Sequence, residues 1–233
     1  MSWVLVTGGA QRLGREICKV LAHRGYDVAI HYKSSGEAAS CVASECRAMG
    51  VNVELLQGDF SSPASTKEFV ERVKQHPLKH LINNVGNYWL ESALETSLER
   101  WRDLFQTNFF APLELVKMLV PSLKEQRGSI VNIGVAGIDT LRGHSYSAAY
   151  VASKASLLML TKALAVELAP NEVRVNMVSP GQLDISVDYS QQRLPMGRPG
   201  SCREVADVVA FLVDDANGYI TGQNIEVAGG VRL

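Results

Sequence analysis

Tyr150 and Lys154 stand four residues apart in Tyr150-Val151-Ala152-Ser153-Lys154, a spacing that sets a phenol and an ammonium on one face of a helix. A free tyrosine loses its proton at about pH 10. A neighbouring cation favours the phenolate and lowers that value, which makes an acid/base group usable near neutrality. A second pattern lies near the start of the chain, in Thr7-Gly8-Gly9-Ala10-Gln11-Arg12-Leu13-Gly14. Glycines there let the backbone turn tightly and bring N–H groups to a pyrophosphate at the positive end of a helix. A glycine cluster also ends strands for structural reasons alone, but this one lies between an apolar run and a helical period.

The second apolar run ends Ile30-His31-Tyr32-Lys33-Ser34-Ser35, with no acid. A site for NADH usually places Asp or Glu there to accept from the adenosine ribose. Lys33 can neutralise a 2′-phosphate and Ser34 can hydrogen-bond to it, whereas a carboxylate would repel it. The reading favours NADPH; the alternative is a lysine that merely opens a solvated loop.

These groups need a scaffold. Apolar runs of strand length at 3–7, 27–32, 51–57, 80–83, 129–134, 173–178 and 224–227 alternate with helical periods at 12–24, 35–49, 64–75, 97–125, 147–169 and 201–214. That alternation predicts one α/β domain over 1–233: a doubly wound, parallel, seven-stranded Rossmann-like sheet with helices on both faces. Ser201 and Glu204 form a candidate capping box, Ser62-Pro63 a candidate helix start, and Pro112 interrupts the 97–125 helix.

The 233 residues carry a formal net charge of −1, with 46% hydrophobic and 20% charged residues. This leaves no basic field for nucleic acid. Cys18, Cys41, Cys46 and Cys202 show no CxxC spacing, as expected of reduced thiols. The start, Met1-Ser2-Trp3-Val4, runs directly into a strand without a basic leader, and no apolar stretch reads as a membrane span. A cytoplasmic protein is expected.

The glycine turn resembles the TGxxxGxG turn of short-chain dehydrogenases/reductases, with Arg12 at the middle glycine, as in the pteridine reductase branch. A cation there suits a pyrophosphate; a solvated arginine on the first helical turn is the alternative. His31-Tyr32-Lys33-Ser34-Ser35 resembles the His-Tyr-x-x-Ser stretch of pteridine reductases, and Asn83-Asn84-Val85-Gly86 the NNAG motif. The resemblance implies a cofactor groove made by Gly8, Arg12, Leu13, Gly14, His31, Tyr32, Lys33, Ser34, Asp59, Phe60, Asn84, Gly86, Tyr150, Lys154, Pro180 and Gly181. It makes Tyr150 the proton donor, Lys154 the ribose ligand and tuner of the tyrosine, and Asn108 the holder of a relay water. Tyr146 reads as a wall residue. The ending, Tyr219-Ile220-Thr221-Gly222-Gln223 through Gly230, is similar to 3-oxoacyl-[acyl-carrier-protein] reductases, with Ala228 for Asp. The family's habit of pairing implies a homo-oligomer, dimer or tetramer.

One departure stands out. Most of the family places a serine after the fifth strand to bind the substrate oxygen, and pteridine reductases an aspartate; here the position holds Val135. Losing one such donor can cost about 2.7–4 kcal/mol of transition-state stabilisation. Either a donor comes from Thr140, His144, Ser145 or Ser147, or Tyr150 suffices, or the protein binds cofactor with little catalysis. After Pro180-Gly181 a substrate loop is expected, holding Asp184, Ile185, Ser186, Asp188, Tyr189 and Gln191, with Arg193 and Arg198 at its end. The leading expectation is NADPH-dependent reduction of a carbonyl or imine, with a dihydropterin slightly ahead of a 3-oxoacyl thioester.

Overall fold

The strands alternate their apolar side chains between two cores. In β1 (Trp3–Val6), Val4 and Val6 enter one core and Leu5 the other, as a period of two requires. The computed structural model describes residues 2–140, 142–143, 146–186 and 194–231. The chain continues through α1 (Arg12–His23), β2 (Asp27–Tyr32), α2 (Gly36–Arg47), β3 (Val53–Gln57), α3 (Pro63–Val73), β4 (Leu78–Asn83) and α4 (Leu98–Phe105). It then passes through α5 (Ala111–Glu125), β5 (Ser129–Ile133), α6 (Ala148–Leu168), β6 (Arg174–Pro180), α7 (Cys202–Val213) and β7 (Asn224–Val227).

All seven strands are parallel, in the order β3-β2-β1-β4-β5-β6-β7. Side chains of α1, α2 and α7, such as Ile17, Val42 and Val205, fill one core; those of α3, α5 and α6, such as Phe69, Leu115 and Leu168, fill the other. The strand order reverses between β1 and β4, and in such sheets the crevice beyond the strand ends at the reversal is where ligands bind.

The expected elements are all present, with informative shifts at their ends. Ser62 accepts from the Ser65 N–H with Pro63 behind it, and Ser201 and Glu204 close a reciprocal capping box. The 97–125 stretch is divided: α4 and α5 are joined by a π-helical turn, Gln106–Phe110. Pro112 has no N–H to offer the Asn108 carbonyl four residues back, and the chain ahead of it widens. Such π turns concentrate at functional sites.

The segment Ala148–Asn171, with a mean hydropathy of 1.3, is long and apolar enough to cross a membrane by length and composition alone. It is a core helix instead: Leu157, Leu164 and Leu168 are buried, and so is Lys154, which a lipid-facing helix would not bury against a sheet. A polar ladder runs from the sheet into it. Asn83 Nδ2 donates to Asn132 Oδ1 (2.8 Å), Asn132 Nδ2 to Thr161 Oγ1 (2.9 Å), and Thr161 Oγ1 to the Leu157 carbonyl (2.7 Å).

Helix α1 begins with backbone strain. Arg12 has φ +49°, in the left-handed region that favours glycine; a side chain there costs on the order of 1–2 kcal/mol. The arginine therefore occupies a position whose geometry suits the family's glycine. Arg12→Gly is expected to raise the thermal midpoint by about 2–4 °C, whereas Arg12→Ala, which keeps the strain, gives no such gain in the same melting experiment.

Candidate active site

The phosphate turn is held from behind. Gly8, at φ +64°, donates its N–H to His31 Nδ1 at 3.0 Å, and the Gly9 N–H donates to the His31 carbonyl at 2.9 Å. Because Nδ1 accepts, Nε2 carries the proton and donates to the Gly58 carbonyl at 3.2 Å. The imidazole stacks on Phe60 at 4.2 Å, and burial holds its pKa down at about 4, so the ring stays neutral. His31 and Phe60 are 2% and 4% exposed. The resemblance implied that they would face the cofactor; the structure sets them behind the turn, as its support. At Gly14 an added Cβ would lie 2.0 Å from the Gly8 carbonyl oxygen. No side chain fits there.

The front of the turn meets the end of β4. Asn84 Nδ2 donates to the Thr7 carbonyl (2.9 Å) and to that of Gly8 (3.3 Å). Thr7 Oγ1 accepts from the N–H groups of Asn84 (2.8 Å) and Val85 (3.0 Å) and donates to the Ile82 carbonyl (3.2 Å). The glycine cradle and the N-terminus of α1 fit the diphosphate of a dinucleotide. At the adenosine end, Lys33 and Ser34 are exposed and Tyr32 is half-buried. Lys33 Nζ lies 3.0 Å from Asp59 Oδ2, so the two groups expected to hold different parts of the cofactor hold each other. An exposed pair of this kind contributes about 0–1 kcal/mol, and a 2′-phosphate can displace the carboxylate.

A cavity of about 230 Å³ opens beyond the turn. Leu13, Asn84, Gly86, Pro180 and Gly181 line it together with Tyr150, Lys154, Ile133, Val135 and Tyr88. Gly181 is pressed on the chain after β7, where a Cβ would meet Ala228 Cα at 2.8 Å. Lys154 Nζ donates to the Ile133 carbonyl at 2.8 Å, and burial lowers its pKa to about 8. Tyr150 differs from expectation. Burial, and next the neighbouring Tyr88 phenol, push its pKa up, not down. Desolvation disfavours the phenolate, and Tyr150 is a neutral phenol whose proton a substrate oxygen can take.

Asn108 sits in the π turn, fully buried. Its Oδ1 accepts from the Asn87 N–H (2.8 Å), and its Nδ2 donates to the Asn87 carbonyl (2.9 Å) and to Ser153 Oγ (2.9 Å). Ser153 Oγ in turn donates to the Tyr150 carbonyl at 2.7 Å. Asn108 thus clamps the loop after β4 to α6, and one lone pair of Oδ1 is left for a further donor. An added Gly86 Cβ would approach both Lys154 Nζ (3.1 Å) and Asn108 Oδ1 (3.4 Å), so these groups converge on one glycine.

Position 135 is a valine on the cavity wall. Of the proposed replacement donors, Thr140 is exposed and neither Thr140 nor Ser147 lines the cavity; His144 and Ser145 lie outside the described residues. Tyr146, expected as a wall, is 71% exposed. Tyr88 takes that place, with its ring edge-on to Tyr150 at 4.8 Å. Its signal in the sequence was its place directly after the NNVG turn and Asn87. In the loop after Pro180-Gly181, Ser186 Oγ accepts from the Leu183 N–H (3.1 Å), Ile185 is 40% exposed, and Arg198 is bound to Glu204 at 2.6 and 3.0 Å. Asp188, Tyr189, Gln191 and Arg193 lie outside the described residues.

The lowered pKa of Lys154 has a thermodynamic signature. Between about pH 8 and 10.5 the unfolded chain holds a proton that the folded chain has released, so this residue makes stability rise with pH across that window. Denaturant unfolding of the wild type and Lys154→Met at both ends of the window should show the difference changing by about 3 kcal/mol. A flat difference would mean that Lys154 is not desolvated.

The family model for short chain dehydrogenases matches residues 2–193. The 3-oxoacyl-[acyl-carrier-protein] reductase of Staphylococcus epidermidis is 33% identical over 98% of both chains. A blue fluorescent protein from a metagenomic library, solved in complex with NADPH, superposes with a TM-score of 0.92 at 29% identity, over 100% of this chain and 98% of that one. The acetoin dehydrogenase of Enterobacter cloacae gives 0.90 at 29% identity, over 98% and 94%. With the glycine cradle and the Tyr150–Lys154 pair on one cleft, the match places this chain in the short-chain dehydrogenase family of oxidoreductases.

Proposed function

We propose that the protein is an NADPH-dependent reductase of small carbonyl compounds. The observation that carries this reading is that Tyr150 and Lys154 line one cavity with Leu13 of the phosphate turn and with Asn84 and Gly86. In this reading Gly8, Arg12, Leu13 and Gly14 hold the diphosphate, Lys33 and Ser34 meet the 2′-phosphate, Asn84 and Gly86 flank the nicotinamide half, and Pro180 and Gly181 floor it. Bound NADPH supplies a hydride to the carbonyl carbon. Tyr150 gives its proton to the carbonyl oxygen, and Lys154 holds the ribose and supports the phenol. Leu13, Ile133 and Val135 present apolar surface that excludes water, which strengthens each polar contact inside.

A 3-oxoacyl thioester or a hydroxyketone now ranks ahead of a pterin. Two of the similar proteins are named for chemistry at such ketones, while His31, whose stretch resembles that of pteridine reductases, is buried against Phe60. The single sheet supports one domain over 1–233, and we read the protein as cytoplasmic. A homo-oligomer, dimer or tetramer, fits the apolar groups left outside: Met159 and Val166 on α6 are 67% and 78% exposed, and Phe110 is 45% exposed.

NADPH oxidation by the purified protein, with an acetoacetyl thioester, acetoin, diacetyl and a dihydropterin as substrates, tests the reading. Turnover of a ketone that disappears in Tyr150→Phe is expected; turnover of the dihydropterin alone would reverse the substrate order. Lys33→Ala should raise KM for NADPH about tenfold, the loss of one charge-assisted contact, and leave KM for NADH unchanged. An equal effect on both cofactors would show that Lys33 does not read the 2′-phosphate.

A further inference from the structure

Dinucleotides with and without a 2′-phosphate are told apart by the charge they meet beyond the second strand. A carboxylate there turns the phosphate away, and a cation draws it in. This chain carries both signs. Lys33 follows β2 directly, and Asp59 reaches it from just past the end of β3, with Lys33 Nζ 3.0 Å from Asp59 Oδ2. One ammonium cannot serve two anions in full. We infer that Asp59 is a specificity-determining residue that competes with the cofactor's 2′-phosphate for Lys33, and so narrows the preference for NADPH over NADH. This rests on the NADPH reading above.

The pair is set by the sheet. β2 and β3 run parallel with Tyr32 opposite Gln57, and the Gly58 N–H donates to the Tyr32 carbonyl at 2.9 Å. Gln57 Nε2 donates to the Lys33 carbonyl at 3.0 Å, which ties the lysine's backbone to β3. Asp59 Oδ1 accepts from the Ser61 N–H at 2.9 Å, and its other oxygen faces Lys33. Burial works against this carboxylate, but the Ser61 N–H and Lys33 outweigh it and hold its pKa below the usual value. The competitor is therefore charged at neutral pH. A dinucleotide without the phosphate leaves the pair intact, whereas one with it must part the pair or share the ammonium. Repulsion between the two anions would act whether or not Lys33 were present. Competition needs the lysine.

Asp59→Asn removes the charge and keeps an oxygen for the Ser61 N–H. Calorimetric titration of the purified protein with NADP+ and with NAD+ gives the ratio of the two affinities. Contacts to the parts that both dinucleotides share cancel in that ratio. It should rise about threefold in Asp59→Asn, the worth of an exposed ion pair. Lys33→Ala should lower it, and adding Asp59→Asn to Lys33→Ala should leave it where it is, because nothing remains to compete for. An equal rise with and without Lys33 would mean repulsion alone and would overturn the inference. A ratio lowered by Lys33→Ala but not raised by Asp59→Asn would overturn it too, with the NADPH reading left standing. A ratio that Lys33→Ala does not lower, or a wild type that binds neither dinucleotide, would sink both. The titration needs no turnover, so failure of every ketone as a substrate would count against the reductase reading alone.

Discussion

The site depends on closing a gap that the sheet itself creates. Where β1 and β4 run out side by side, their chains part, the first toward α1 and the second toward α4, and the ladder of backbone hydrogen bonds ends. Buried N–H groups left there would cost about 1–3 kcal/mol each. The Thr7 hydroxyl closes the gap, with two N–H groups donating to it and the Ile82 carbonyl accepting from it, and Asn84 covers the carbonyls of Thr7 and Gly8. The glycine turn is thereby tied to the loop that carries Gly86 and Tyr88. The cradle for a dinucleotide and the wall around a substrate are two sides of one joint.

Behind that joint, neutral polar groups do the work. His31 bridges the turn and the end of β3 through an uncharged ring, and the Asn83–Asn132–Thr161 ladder fastens the helix of Tyr150 to the strands beneath it. A charged group in either place would need a partner or a large shift in pKa. Charge sits at Lys154, which is buried at one carbonyl, and on exposed side chains such as Arg12, Lys33 and Asp59.

What could be read from the sequence was what depends on neighbours in the chain. The glycine turn, the Tyr150–Lys154 spacing, the capping box at Ser201 and the alternation of strands and helices are local patterns, and each appears in the fold. What local pattern does not report lies where distant segments meet. Lys33 and Asp59 are far apart in sequence and pair in space. His31 matches a cofactor-side motif, but Phe60 and Gly58 enclose it. The direction of the Tyr150 shift turns on burial, which spacing does not report, and helical neighbourhood suggested Tyr146 where a loop from another crossover supplies Tyr88.

The strand order also has a meaning in time. β1 is made first and lies inside the sheet, yet its partner at the cleft arrives late: the Thr7 hydroxyl waits for a carbonyl 75 residues downstream. The catalytic helix and the floor at Pro180 follow later still. A nascent chain that has finished β3 holds half a cradle and no opposing wall. A nicotinamide dinucleotide that needs both sides of the joint therefore cannot template the early stages of folding; it can only trap the sheet once the second half has been made.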